Sequence, residues 1–290
     1  MQYIDKFHPE NRKKGLRINQ EVLDSHWNAE TGEYFSMRYK DFDKKPFNSL
    51  LSNEQGGLCC YCMRRLHVNA ERNHRKNVTL EHVVPNKITS DEWNQDKGSY
   101  QKFRGLTDEF ITVCPSDGVI DKKVRFGMPP FPHFIAYDNL VASCDGQTLN
   151  YDATEVNHHC CNNYRGNRYV EPLYFHVNVG NEIDYDSFGR IVCEEEVVKY
   201  LDEKTGVNIM SPFLNKVRMF WNLVSASGYT PEDIRAAEDD EELRQDIRDD
   251  LFTTDGLGEW EFLEDEVKWA VYADYDWFYT YYRNKAGVGN

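Results

Sequence analysis

Glu81-His82-Val83-Val84-Pro85 is the stretch on which the fold of this chain turns. It closes a longer segment, from Val78 to Val84, in which apolar and polar side chains alternate with the two-residue period of a strand, and Pro85 ends it. On that strand an imidazole that titrates near neutrality stands beside a carboxylate. The imidazole can take a proton from water, and the carboxylate offers the kind of oxygen that Mg²⁺ or Mn²⁺ prefers. Adjacent strand residues point to opposite faces, so the two share a site only where a helix or a twist brings a metal to the strand's edge. Asn162, at the start of an expected helix, would add a neutral amide oxygen.

Thiols lie on either side of this strand in sequence. Upstream is Cys59-Cys60-Tyr61-Cys62; downstream are Cys144 and Cys160-Cys161-Asn162-Asn163-Tyr164-Arg165-Gly166. The first residues, Met1 to Lys6, carry no apolar leader, so the 8 Cys are expected as reduced thiols, and clustered reduced thiols point to metal more than to disulfides. Cys59-x-x-Cys62 lets two thiolates reach one Zn²⁺ from a single tight turn, and tetrahedral coordination needs a second pair. Cys144 with Cys160 or Cys161 supplies it. Cys161 is preferred because it directly precedes the Asn-x-x-Arg-Gly run; His158 and His159 are possible substitutes. Cys114 and Cys193 stand alone and are expected as buried small apolar residues.

At 290 residues the chain accommodates one large or two moderate domains, and 40% apolar with 14% aromatic residues argues against disorder. Nowhere do ~18 apolar residues run together, so no membrane span is expected and the cytoplasm is the expected location. The net charge of -15 is unevenly spread: residues 1–168 hold 23 Lys+Arg against 22 Asp+Glu, and residues 169–290 hold 11 against 27. The acidic half would repel a phosphate backbone, so nucleic acid would have to approach the first half or a surface lent by a partner. Arg64, Arg65, Arg72, His74, Arg75 and Lys76 precede the Glu81-His82 strand and read equally as a solvated loop or a phosphate-contact surface. Arg165, on the same expected helix as Asn162, is a further candidate phosphate contact.

Along the chain, residues 1–50 read as an arm or helical segment, with a helix around Asn19 to Asn28 and a basic cluster at Arg12, Lys13, Lys14 and Arg17. Residues 51–170 form the thiol-bearing domain, with an insertion at 86–135 that ends in Met128-Pro129-Pro130-Phe131-Pro132. Residues 171–192 read as strands with a Phe188-Gly189 turn, and helices are expected over Pro212 to Ala226, Pro231 to Phe252 and Trp260 to Lys285. Thr230-Pro231-Glu232-Asp233 has the form of an N-cap followed by Pro at the first helical position. Glu232 to Asp255 holds 11 acidic residues and three Arg, which read as a solvated face; the ten aromatics of residues 260–282 read as core or as a partner interface.

Glu81-His82-Val83-Val84-Pro85, Tyr137-Asp138-Asn139-Leu140-Val141 and Cys161-Asn162-x-x-Arg165-Gly166 resemble the three signatures of HNH endonucleases. The resemblance implies a ββα-metal fold, a hairpin followed by a helix around one divalent ion. It implies His82 as general base, Glu81 as acidic metal ligand, Asn139 as the residue that orients the base's loop, and Asn162 as the last ligand. The family often has Asp before the His, so Glu81 is a departure. The expected fold class is α+β: a zinc-braced ββα-metal (HNH) nuclease domain with a helical, acidic C-terminal region.

More narrowly, Cys-x-Tyr-Cys, Glu-His-x-x-Pro, Asp-Asn-Leu-Val-Ala-Ser-Cys and Val207-Asn208-Ile209-Met210-Ser211-Pro212-Phe213-Leu214 resemble the HNH subunit of Septu-type anti-phage systems, the PtuB-like proteins, which also occur as retron effectors. These motifs span about residues 55–218, and the last third of the chain matches none of them. The resemblance implies hydrolysis of nucleic-acid phosphodiesters with catalytic Mg²⁺ or Mn²⁺ and a PtuA-like ABC/SMC-type ATPase as partner, beside the structural Zn²⁺ that the spacing of Cys59, Cys62, Cys144 and Cys161 leads one to expect. Two other readings stand beside it. One is a zinc-knuckle interaction module without catalysis; the other, a nuclease acting alone, is opposed by the lack of a strongly basic patch.

Overall fold

The computed structural model describes residues 1–28, 30, 33–34, 39–70, 76–115, 129–147, 160–167, 169–194, 212–252 and 266–288. Val78–His82 forms the expected strand and pairs antiparallel with Leu140–Cys144, in a register that sets Val78 opposite Cys144 and His82 opposite Leu140. Both strands are almost wholly buried. Helix Lys45–Glu54 packs across the two of them, and the five-residue helix Cys161–Arg165 packs on the second. Gln55, just past the end of the longer helix, locks helix to strand: its Nε2 donates to the Ala142 carbonyl at 2.8 Å, and its Oε1 accepts from the Ala142 N–H at 2.7 Å.

The N-terminal helix spans Pro9–Asp24, ten residues earlier than its expected start, and Trp27–Asn28 is instead a short strand paired with Glu33–Tyr34. Pro9 accounts for the early start, since its fixed φ suits the first helical turn and its missing N–H has no intrahelical partner there. Ile18, Val22 and Leu23 bury the helix against Lys45–Glu54 and the turn at Tyr137–Asn139. Gly15 permits the close approach, because a Cβ there would lie 2.2 Å from the Tyr137 ring.

Residues 171–192 are less extended than expected. A 3-10 turn at Leu173–Phe175 and a short helix at Val179–Glu182 precede a two-residue antiparallel pair, Asp184–Tyr185 with Ile191–Val192. The turn between them uses Gly189 at φ 73°, where it meets the backbone of Asn215 so closely that no side chain fits.

Helix Pro212–Ala226 forms as read, whereas the 231–252 segment breaks into Pro231–Ala236 and Glu241–Phe252. Thr230 caps the first of these by accepting from the Asp233 N–H, and Asp233 accepts in return from the Thr230 N–H at 2.8 Å. The last helices are Glu266–Ala273 and Trp277–Lys285; the expected start at Trp260 lies outside the described residues. Trp221, Trp269, Tyr272 and Phe278 are buried where these helices meet, so much of the aromatic segment is core. The whole combines helices with small two-stranded sheets, and no helix among the described residues is long and apolar enough to cross a membrane.

Candidate metal centre and adjoining cleft

The Cys59–Cys62 segment folds as a tight knuckle. Leu58 and Arg65 bridge across its base, the Cys59 N–H donates to the Arg64 carbonyl at 2.8 Å, and Met63 closes the turn at φ 63°. The second pair of thiols comes from the end of the Leu140–Cys144 strand and the first residue of the Cys161–Arg165 helix. Cys161 itself is left-handed at φ 51°, a conformation disfavoured for a residue with a Cβ. The Sγ atoms of Cys59, Cys62, Cys144 and Cys161 all lie within 4.8 Å of one another, and all four residues are buried.

Cys59 and Cys161 are 3.9 Å apart and Cys62 and Cys144 3.8 Å apart, sulfur to sulfur. A tetrahedron with Zn–S bonds of about 2.3 Å has S···S edges of about 3.8 Å, so the spacing fits the ion. All 8 cysteines are free thiols. Burial pushes the Cys62 and Cys161 thiols well above their ordinary range. For Cys59 burial acts in the same direction, but contacts from the Cys144 and Cys161 thiols outweigh it and bring the group well below its ordinary range. The Cys144 N–H also points at Cys59 Sγ, at 3.2 Å. Four crowded, buried thiols are a donor set that a dication deprotonates on binding, and a structural metal such as zinc can be held there.

Cys160 packs against this set, 3.5 Å from Cys161 in sulfur separation, and Cys60 is buried beside it. Cys114 and Cys193 are only partly buried, which corrects the expectation of full burial. His158 and His159 lie outside the described residues.

The C-terminal helices close over the knuckle. Arg64 is buried and donates to Asp274 at 3.0 Å, and Arg65 holds Asp276 through two bonds of 2.7 Å each. His67 adds a 2.8 Å contact to Asp274, and Tyr275 Oη lies 3.9 Å from Cys62 Sγ. The reading of Arg64 as a phosphate contact is therefore corrected: its guanidinium is held by the Asp274 carboxylate, 210 residues away in sequence, with Asp145 at 3.7 Å. Arg65 is half exposed but meets Asp276, which also accepts from Arg235 at 2.8 Å. Lys76 is exposed; Arg72, His74 and Arg75 lie outside the described residues.

Beside the thiols, Glu81, His82, Asn162 and Arg165 line one cleft of about 330 Å³, together with Tyr39, Thr79 and Pro85. The strand ends at His82, so both members of the Glu81-His82 pair reach the same opening at its edge, and the thiol helix supplies the facing wall. Glu81 accepts from Tyr61 Oη at 2.9 Å and from Arg165 Nη1. Arg165 also donates to the backbone carbonyls of His82 and Val83, so its buried guanidinium is committed to the strand end.

His82 donates from Nε2 to the Phe134 carbonyl at 3.0 Å. A carbonyl only accepts, so the neutral ring carries its proton on Nε2 and keeps the Nδ1 lone pair. Burial lowers the pKa of this imidazole to about 3, against a smaller opposing effect of the Phe134 bond. Tyr39 meets the ring edge to face, centroids 4.7 Å apart.

Asn139 stands behind the cleft and ties down the chain just after His82. Its Nδ2 donates to the Val84 and His133 carbonyls at 2.9 and 2.8 Å, and its Oδ1 accepts from the Val84 N–H at 2.7 Å. Asn162 uses its amide nitrogen on Thr79 Oγ1 at 3.2 Å, which leaves the amide oxygen for a cation. Tyr61, Thr79 and Gln55 were not singled out as site residues in the sequence. Tyr61, between the paired Cys, had a positional signal; Gln55 had none.

No protein-family profile, no curated protein and no solved structure matches this chain.

Proposed function

We propose that this chain is a metal-dependent HNH-type endonuclease, the PtuB-like effector subunit of a Septu or retron anti-phage system. The observation that carries the reading is the gathering of a neutral imidazole, a carboxylate and an amide oxygen in one cleft, between two antiparallel strands and the helix that follows them. That order is the one a ββα-metal site requires. Cys59, Cys62, Cys144 and Cys161 would hold zinc and thereby pin the Asn162 helix to the knuckle and the strand.

Glu81 and Asn162 would hold Mg²⁺ or Mn²⁺, two protein oxygens being enough for a hard cation that keeps much of its water. When bound, that ion stabilises charge on the phosphate and the leaving oxygen. His82 would take a proton from the attacking water through Nδ1, the ring nitrogen that the Phe134 carbonyl does not engage. Asn139 holds the Val83-Val84 turn so that the ring cannot swing, and Arg165 aligns Glu81 while offsetting its charge. The exposed acidic faces of the C-terminal helices keep a free nucleic-acid backbone away, which fits engagement of DNA or RNA through a PtuA-like ABC/SMC-type ATPase.

The test is cleavage of plasmid DNA and of RNA by the chain with its ATPase partner. His82→Ala is expected to lower the rate by about 10²–10⁴-fold with zinc content unchanged. Undiminished cleavage by that variant would sink the assignment. One observation favours the alternative, a zinc-braced interaction module without catalysis: Arg165 already neutralises Glu81. A Mn²⁺ titration of the zinc-loaded chain separates the two, because the module has no second divalent site.

A further inference from the structure

The backbone around His82 is tied down from several sides, but its ring is not. Arg165 holds the His82 carbonyl, and Asn139 holds the Val84 N–H and carbonyl, all of them main-chain groups. Among the described residues the imidazole makes one hydrogen bond, from Nε2 to the Phe134 carbonyl at 3.0 Å. Nδ1 has no partner there, and it is not among the unpartnered atoms sealed from solvent. A ring anchored at one atom can rock about that bond, and it can turn over once the bond is broken. Either motion takes Nδ1 away from a fixed place.

Tyr39 supplies a second constraint. It lies in the 3-10 turn Tyr39–Asp41, ahead of helix Lys45–Glu54, and lines the same cleft as His82. Its ring meets the imidazole at an interplanar angle of 77°, centroids 4.7 Å apart, which is an edge-to-face contact. The tyrosine ring is itself pinned. Buried Phe42 meets it edge to face at 5.4 Å, and Lys44 Nζ rests 4.4 Å from its centroid. Phe42 packs in turn on Phe47, which is wholly buried on the helix that crosses the two strands. A line of packed rings therefore runs from the core of that helix to His82. The Tyr39 hydroxyl has no hydrogen-bond partner among the described residues, so it is the ring that locates the side chain.

We infer that Tyr39 is a positioning residue: its ring holds the His82 imidazole in the one orientation that bonds Phe134 through Nε2 and leaves Nδ1 free. Its consequence for cleavage rests on the hydrolytic reading above, whereas its hold on the ring rests on the packing alone. Misplacing a reacting group by ~1 Å costs up to about 10²-fold in rate without weakening substrate binding, so the effect belongs in kcat. A platform for a nucleobase would use the same ring but would act on KM.

Tyr39→Leu and Tyr39→Phe are compared with the parent as full-length, zinc-loaded chains, with Tyr39→Met in place of the leucine variant should that one not fold. Cleavage is followed at steady state with Mg²⁺ and the ATPase partner. The long-range ¹H–¹⁵N spectrum of histidine-labelled chain is recorded at neutral pH, with His82 assigned by its absence from His82→Ala. Tyr39→Leu is expected to lose about 10–100-fold in kcat with KM within about threefold, and Tyr39→Phe to stay within about threefold in both. The His82 nitrogens should report a single tautomer protonated on Nε2 in the parent and in Tyr39→Phe, and move toward the average of two tautomers in Tyr39→Leu. Tyr39 is not the positioning residue if kcat of Tyr39→Leu stays within about threefold, or if the loss is carried by KM, which would make the ring a substrate contact. Nor is it one if Tyr39→Phe falls as far as Tyr39→Leu, which would give the role to the hydroxyl, or if the His82 spectrum is alike in all three. Where the parent cleaves nothing with its partner, the hydrolytic reading falls, and the spectrum decides by itself whether Tyr39 holds the ring.

Discussion

Arg165 and Glu81 form an ion pair in the protein interior, their side chains 2% and 4% exposed, across 84 positions of sequence. The pair joins the helix that begins at Cys161 to the end of the strand that carries His82, and Arg165 extends the joint to two backbone carbonyls. Helix and strand are thus tied together at the edge of the cleft.

Removing the cation from such a pair leaves a buried carboxylate with only Tyr61 to answer it. Arg165→Ala is expected to destabilise the fold by about 3–5 kcal/mol in urea unfolding. Arg165→Lys should recover little of this, because an ammonium cannot serve the carboxylate and two carbonyls in one plane. A loss under about 1 kcal/mol would show that the pair is not closed in solution.

Asn139 serves three backbone groups at once, two of them on Val84. Asn139→Ala should cost about 2–4 kcal/mol, from the buried Val84 N–H and carbonyl left unpaired. Asn139→Asp keeps the acceptor for the Val84 N–H but sets a buried carboxylate oxygen against two carbonyls, so it should cost at least as much as Asn139→Ala. Thermal melts of the three proteins at one pH check the order.

The thiol set makes a prediction about two adjacent residues. Cys161→Ser should lower bound zinc far below the about one ion per chain of the parent, whereas Cys160→Ser should leave it near that value. Zinc measured by atomic emission on the purified chains decides it. Full retention by Cys161→Ser and loss by Cys160→Ser would transfer the fourth ligand to the neighbour. Strong chelation should unfold the knuckle together with the C-terminal helices that pair with Arg64 and Arg65.

His133 is buried, accepts from the Cys114 N–H at 3.2 Å, and has its pKa brought down to about 4, chiefly by burial. In the unfolded chain it titrates near 6.5. Between these values the unfolded state binds the proton and the folded state does not, so the stability it contributes is whole above pH 6.5 and is lost as pH falls toward 4. The stability of the parent should therefore drop with falling pH in this window, and His133→Asn should make the slope shallower by up to about 1.4 kcal/mol per pH unit. Urea unfolding at pH 7, 6 and 5 measures it; equal slopes in the two proteins would mean that His133 is solvated.

Much of the framework was legible because it depends on short-range chemistry. Cys59-x-x-Cys62 demands a tight turn in any protein, the alternation before Glu81 demands a strand, and Thr230-Pro231 demands a helix start. The early start of the first helix was less visible because its stripe, Ile18, Val22 and Leu23, lies entirely in its second half, while Pro9 marks the beginning only by a backbone preference. The strands expected across 171–192 shrank because that segment packs through turns, not through a ladder.

Which atoms were available is written in the residues: four thiols with the right local spacing, an imidazole next to a carboxylate, an amide at a helix start, and an acidic second half. What each charge faces depends on the folded chain. Arg64, Arg65 and Arg165 read alike in sequence, as cations suited to phosphate, yet Asp274, Asp276 and Glu81 hold them, and two of the three are buried. A strand or a turn is set by neighbours in the chain, whereas the partner of a long cationic side chain is set by which carboxylate the fold brings within hydrogen-bond reach once water has been excluded.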